Sequence, residues 1–286
     1  MPEPIEVVEL NVTYTSWSVQ GCSIAGKVPR QCRWVYCRQD WPGVTIFEGG
    51  HMREFRHEIR THHAVGWLTE PRELHPETHT WVEANADSFD RILTYDEKML
   101  QQGEPFRWMP SIGVTIPKEC WGMTPKSKGI GMFLSPKYAT EGHRLRREIA
   151  TKFPQISVFT GVHGDEKVAR MSEHRFWLVI ENSFIPNYYT EALLDPISLG
   201  CLPIYYRPPE AQGGLHPLED YMDTAGIVIA GSLDRLYEVI SIACSSAGEK
   251  LYEERMPEMM YNLEHLPELE IPEDWMVQHA LGDYLQ

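Results

Sequence analysis

Residues 176–209, FWLVIENSFIPNYYTEALLDPISLGCLPIYYRPP, decide the reading of this chain. Phe176 to Ile180 is an apolar run of strand length, suited to a strand buried on both faces. Glu181, Asn182 and Ser183 follow where a parallel strand hands over to a loop, and Pro186-Asn187-Tyr188-Tyr189 continues that loop. Thr190 can cap a helix that carries Leu193, Leu194, Ile197 and Leu199. Gly200 ends the helix, and Leu202 to Tyr206 reads as the next strand. A strand–loop–helix–strand unit of this doubly wound kind binds ligands at the carboxyl ends of its strands, with a helix N-terminus facing an anion.

Outward from this unit the same alternation recurs. Towards the N-terminus, strands are expected at 5–15, 44–47, 64–68, 89–94 and 106–110, and helices at 51–62, 75–86 and 96–102. Residues 17–40 carry no clean period. Beyond 128, strands are expected at 129–134, 156–160 and 227–230, with helices capped by Thr140 and Ser232. Strands alternating with helices predict parallel sheets with right-handed crossovers. The stretch 117–128, PKECWGMTPKSK, has two prolines and little apolar pattern and reads as a boundary. The expectation is an α/β chain of two doubly wound, Rossmann-like domains, 1–118 and 119–286. The acidic tail from 249 on is expected to be helical and to pack back on the first domain.

The chain holds 286 residues, 42% of them hydrophobic, which suits two globular cores. Its 26 Lys and Arg against 41 Asp and Glu leave a net charge of −15. That balance argues against nucleic acid or an anionic membrane as partner, because both need a basic face. The opening MPEPIEVVEL has no basic, then apolar, leader pattern, and no stretch approaches about 20 apolar residues, so a cytoplasmic protein without a transmembrane segment is expected. Cys22, Cys32, Cys37, Cys120, Cys201 and Cys244 form no C-x-x-C pair and read as reduced thiols. No D-x-D motif stands in the chain, so no metal site is expected. There is no G-x-S-x-G, G-x-G-x-x-G or P-loop, against a hydrolase elbow, a dinucleotide enzyme or an NTPase.

The spacing of Glu181, Asn182, Ser183, Tyr188, Thr190, Glu191, Pro203 and Tyr205 resembles the donor-binding core of the family 10 glycosyltransferases, the α-1,3/1,4-fucosyltransferases, of the soluble bacterial or viral type. Two positions depart from that pattern. Ala192 stands where the family has a lysine, and Pro196 stands in the following helix. The resemblance implies a GT-B arrangement, two α/β domains facing a cleft. It implies an inverting transfer of a sugar, fucose from GDP-fucose as first guess, to a glycan hydroxyl, with no further cofactor. Glu70, at a strand end beside Pro71 and upstream of a Trp108-Met109-Pro110 segment, resembles the family's general base. Arg146, in the helix GHRLRREI, resembles the arginine that holds the donor diphosphate, with Arg144 and Arg147 as alternatives. Glu181, Asn182, Tyr188, Thr190 and Glu191 resemble donor-binding residues. Arg207 is the candidate to supply the charge that Ala192 omits. Two alternatives stay open, a nucleotide-sugar-binding member without turnover and a transferase using another sugar nucleotide.

Overall fold

A computed structural model of the chain describes residues 7–13, 26–110 and 112–285. Cys22 and both ends of the expected 5–15 strand lie outside the described residues. The chain divides into two compact units, one of residues 1–113 with 268–286, the other of residues 114–267.

The first unit is a six-stranded sheet. Its strands are β1 (Val8–Val12), β2 (Cys32–Tyr36), β3 (Asp40–Glu48), β4 (Arg60–Trp67), β5 (Arg91–Thr94) and β6 (Phe106–Trp108), in the order β2-β1-β3-β4-β5-β6. Every pairing is parallel. The inner strands bury their carboxyl-terminal halves, as in Val44 to Glu48 and Ala64 to Trp67. Helices α1 (His51–Phe55), α2 (Pro76–Ala84) and α3 (Glu97–Leu100) connect them. The core joins Phe47, Met52, Val82, Phe89, Ile92 and Phe106.

Two sequence expectations are corrected here. The helix expected over 51–62 stops at Phe55, and Arg60 to His63 extend β4 instead. These charged residues alternate exposed and half-buried where β4 runs alongside β3, so the sheet overrides their helical pattern. The unassigned stretch 17–40 contains β2, which pairs with β1 from Val8↔Cys32 to Val12↔Tyr36.

Helix α10 (Pro272–His279) completes this unit. Asp274 is buried, and its Oδ1 accepts the backbone N–H groups of Arg30 (2.8 Å) and Gln31 (2.9 Å). Trp275 meets Trp108 edge to face, centroids 5.2 Å apart. Gly113 passes the Glu270 carbonyl so closely that a Cβ there would lie 2.3 Å from it.

The second unit is a five-stranded parallel sheet of β7 (Lys128–Phe133), β8 (Ser157–Phe159), β9 (His174–Ile180), β10 (Leu202–Tyr206) and β11 (Val228–Ala230), ordered β11-β10-β9-β7-β8. Five helices surround it: α4 (Glu141–Lys152), α5 (Gly164–Ser172), α6 (Glu191–Ser198), α7 (Leu233–Ala243) and α8 (Ser246–Glu254), with α9 (Met256–His265) following. β9 and β10 are the central strands and are buried almost throughout, as their apolar runs predict. Pro203 is tolerated in β10 because β11 joins only from Ile204 on, leaving the proline at the strand's start.

In sequence order this sheet reads 2-1-3-4-5, the doubly wound order in which the winding reverses between the first and third strands, here β7 and β9. The loops that leave β7 and β9 therefore flank the crevice where such sheets bind ligands. The first unit repeats the arrangement, with its reversal between β1 and β3. Among the described residues no helix is long and apolar enough to cross a membrane, and Cys32, Cys37, Cys120, Cys201 and Cys244 are all free.

Candidate functional site

The loop leaving β9 is closed by its own side chains. Glu181 is buried, its Oε1 accepting the Thr190 backbone N–H (2.9 Å) and its Oε2 the Thr190 hydroxyl (2.8 Å). Thr190 in turn caps α6, its Oγ1 accepting the Ala192 N–H at 3.2 Å. One carboxylate thus fixes where α6 begins. The Tyr188 hydroxyl donates to Asn182 Oδ1 at 2.8 Å, and the Tyr205 hydroxyl donates to the Tyr188 carbonyl at 3.3 Å. Asn187 sits in the left-handed region (φ 61°) at the turn, and its Oδ1 accepts the His216 N–H. Helix α6 ends as expected: Gly200 (φ 64°) and Cys201 donate to the carbonyls of Ile197 (3.1 Å) and Pro196 (2.9 Å), closing the Schellman pattern.

Helix α4 reaches the same place from β7. Thr140 and His143 cap it reciprocally, and Gly142 lies directly on the loop. A Cβ on Gly142 would sit 1.8 Å from the Glu181 carbonyl oxygen and 2.8 Å from that of Asn182. This close approach carries Arg146 to the end of β9, where its Nε donates to the Ile180 carbonyl at 2.6 Å. Burial lowers the guanidinium's pKa, and the charges of Glu181, Glu191 and Tyr188 raise it again. Burial likewise raises the Glu181 carboxyl to about 7; Glu191 adds to that rise, while the bonds from Thr190 and the charge of Arg146 oppose it. Glu191, half-buried at the start of α6, is also raised by burial, with Lys167 and Arg146 opposing.

The structure therefore brings together Arg146, Glu181, Asn182, Tyr188, Thr190 and Glu191 at the reversal point of the second sheet. The two alternatives to Arg146 stand apart from this set. Arg144 is exposed, while Arg147 donates to the Ser135 carbonyl (2.8 Å) and stacks on Tyr138. Arg207 is buried at the end of β10, where its guanidinium binds Glu219 (2.8 Å) and the Ala211 carbonyl (3.2 Å), so its charge is already engaged. Glu70 belongs to the first unit. It follows β4 and is half-buried, and its carbonyl accepts from His79 Nε2 at 2.9 Å.

Two participants escaped the sequence reading. Lys167, on α5, pairs with the fully buried Asp195 of α6 and donates to Thr115 Oγ1 (2.9 Å), placing a cation beside Glu191. No motif marks it, because its partners lie 28 and 52 residues away. Gly142 looks like an ordinary helix glycine until the loop it touches is known. Among the described residues no group of three or more His, Cys, Asp or Glu is placed to hold a metal ion.

No family model matches the chain. Over 124 residues, 43% of this chain, the sequence is 25% identical to alpha-(1,3)-fucosyltransferase B of Drosophila melanogaster, and the match covers only 27% of that relative's length. Among solved structures, an alpha1,3-fucosyltransferase with GDP superposes with a TM-score of 0.55 at 12% identity, over 91% of this chain and 84% of the other. An alpha-glucosyltransferase in complex with UDP and a 13-mer DNA superposes with a TM-score of 0.59 at 9% identity, over 96% and 97% of the two chains. The chain is thus similar in sequence to an α-1,3-fucosyltransferase and shares the GT-B-type fold of two parallel-sheet units, which bears out the resemblance to family 10 carried by residues 176–209.

Proposed function

We propose that the protein is an inverting glycosyltransferase that moves a sugar from a nucleoside diphosphate, GDP-fucose as first choice, to a hydroxyl of a glycan. The observation that carries this reading is the convergence of Arg146 with the loop 181–191 at the reversal point of the second sheet. An arginine fixed by its Nε on a strand-end carbonyl keeps its terminal nitrogens for a diphosphate, and the N-terminal end of α6 adds the positive end of its dipole. Asn182, Tyr188 and Glu191 surround the same place with groups suited to the hydroxyls of ribose and sugar. Arg146 is the diphosphate cation; Lys167 and Arg207 are both already paired, with Asp195 and Glu219, and of the two it is Lys167 whose charge reaches Glu191.

In the reaction Glu70 takes the proton of the acceptor hydroxyl, whose oxygen attacks the anomeric carbon from the face opposite the leaving group. The carbon–oxygen bond to the diphosphate breaks, its electron pair leaves with the nucleoside diphosphate, and Arg146 holds the charge that develops. Guanine is taken before uracil because the sequence relative is an alpha-(1,3)-fucosyltransferase and a solved alpha1,3-fucosyltransferase holds GDP; the UDP-bound glucosyltransferase of like fold makes UDP the comparison to run. The charge of −15 weighs against DNA as acceptor.

Thermal unfolding with GDP and with UDP tests the donor. GDP at a hundredfold over its Kd is expected to add roughly 2.7 kcal/mol of stability, and UDP much less. Stabilisation by UDP alone would transfer the reading to another sugar nucleotide. Glu70→Gln is expected to keep the GDP effect and to lose at least a hundredfold in acceptor-dependent GDP release. Undiminished release by this variant would remove Glu70 from the role of base.

A further inference from the structure

The peptide that carries Glu70 has left the sheet. β4 ends at Trp67, and Leu68 still reaches the neighbouring strand, its N–H donating to the Leu93 carbonyl at 2.9 Å. Pro71, directly after Glu70, brings no N–H of its own. From Thr69 on, side chains hold the backbone instead. The Tyr95 hydroxyl donates to the Thr69 carbonyl at 3.3 Å, and the Thr69 hydroxyl donates to Glu48 at 2.7 Å. Helix α2, with Pro76 in its first turn, brings His79 back to meet the chain nine residues earlier, where Nε2 donates to the Glu70 carbonyl at 2.9 Å.

Behind His79 stands Asp96. His79 is 1% exposed, and its Nδ1 faces Asp96 Oδ2 at 3.4 Å with no closer hydrogen-bond partner. Asp96 caps α3, its Oδ1 accepting the N–H groups of Lys98 (3.0 Å) and Met99 (3.3 Å). Its Oδ2 accepts two nitrogens of Arg72, at 3.2 and 3.1 Å, and Arg72 also binds Glu83 at 2.7 Å. Burial works against the Asp96 charge, but the contacts with His79 and Arg72 bring its pKa down to about 2. One carboxylate thus stands behind both flanks of Glu70: His79, bonded to its carbonyl, and Arg72, two residues on. Both ring nitrogens of His79 face acceptors, so the ring itself is not offered as a base.

We propose that His79 and Asp96 are positioning residues for Glu70: His79 fixes the Glu70 carbonyl, and with it the direction in which the carboxylate leaves the backbone, while Asp96 fixes His79 and Arg72. This rests on the reading of Glu70 as the base. A backbone held at the carbonyls of two successive residues leaves Glu70 only its side-chain torsions. Proton transfer to a placed carboxylate gains from that restriction, because a small misplacement of the base costs rate and not donor affinity. Both residues act through Glu70.

Single-turnover release of GDP from GDP-fucose by the full chain, with water in the acceptor's place, tests this; UDP-glucose is run as the second donor. His79→Leu, which removes the hydrogen-bond donor, should slow release at least tenfold and leave the Kd of the nucleotide unchanged. His79→Gln, whose amide can still donate to the Glu70 carbonyl, should recover most of the rate. Asp96→Asn can keep the cap of α3 while removing the acceptor of Arg72, and should slow release several-fold. In a Glu70→Gln background neither His79→Leu nor Asp96→Asn should slow release further, because both act only through Glu70. A measurement on the wild type needs no variant to fold: in NMR of the 15N-histidine-labelled chain, the buried Nε2–H of His79 should be protected from exchange with water. The proposal is overturned if His79→Leu releases nucleotide like the wild type, if it weakens nucleotide binding as much as it slows release, if its loss adds to that of Glu70→Gln, if His79→Gln is as slow as His79→Leu, or if the Nε2 proton exchanges freely. Undiminished release by Glu70→Gln would instead remove Glu70 as the base and the positioning role with it, and release from neither donor by the wild type would remove the transferase reading itself.

Discussion

Glu181 shows how one carboxylate can serve both the fold and the site. Both its oxygens are spent on Thr190, so its work is to fix the start of α6. With its pKa raised from 4.5 to about 7, the folded state binds this proton more tightly than the unfolded chain. The stability it contributes is therefore complete below pH 4.5 and is lost as pH rises through 7. Denaturant unfolding of the wild type and Glu181→Gln between pH 4.5 and 8 should show the wild type losing roughly 3 kcal/mol relative to the variant. Parallel curves would mean that Glu181 is ionised throughout. At this scale the sequence was informative about residue types and silent about partners. Glu181, Thr190 and Tyr188 stood out by spacing, but that Glu181 grips Thr190 and Tyr188 bonds to Asn182 depends on how the loop folds.

Among elements, the decisive contact is α4 against the loop leaving β9. It exists because Gly142 has no side chain. Gly142→Ala is expected to push the helix off the loop, to cost about 1–3 kcal/mol of stability and, by moving Arg146, to weaken GDP binding at least tenfold. Urea unfolding and calorimetry check both, and wild-type values in both would show that the contact is dispensable. Local elements were legible where the signal is local. Strands β9 and β10 follow from apolar runs, and the caps Thr140, Thr190 and Ser232 and the stop Gly200 from short-range hydrogen bonds. The end of α1 was not legible, because pairing with β3 decides the fate of Arg60 to His63. Lys167 was not, because Asp195 and Thr115 reach it from distant segments.

At the scale of the whole molecule, alternation of strands and helices announced two parallel sheets, but not their order. The reversal between β7 and β9, which turns a list of residues into a site, arises from long-range pairing that no local pattern encodes. The chain also returns to its first unit at the end, and Asp274 is a principal tie. Asp274→Ala would leave two backbone N–H groups without their acceptor, at about 1–3 kcal/mol each. A loss of about 2–6 kcal/mol in urea unfolding is expected; a loss below about 0.5 kcal/mol would show that the tail contributes little through this residue. The account as a whole stands on the second sheet's reversal point as the seat of a nucleoside diphosphate. Isothermal titration of GDP into the wild type and Arg146→Ala tests this most directly. Micromolar binding by the wild type, weakened at least thirtyfold in the variant, is the predicted result, whereas equal affinities, or no binding by the wild type, would contradict it.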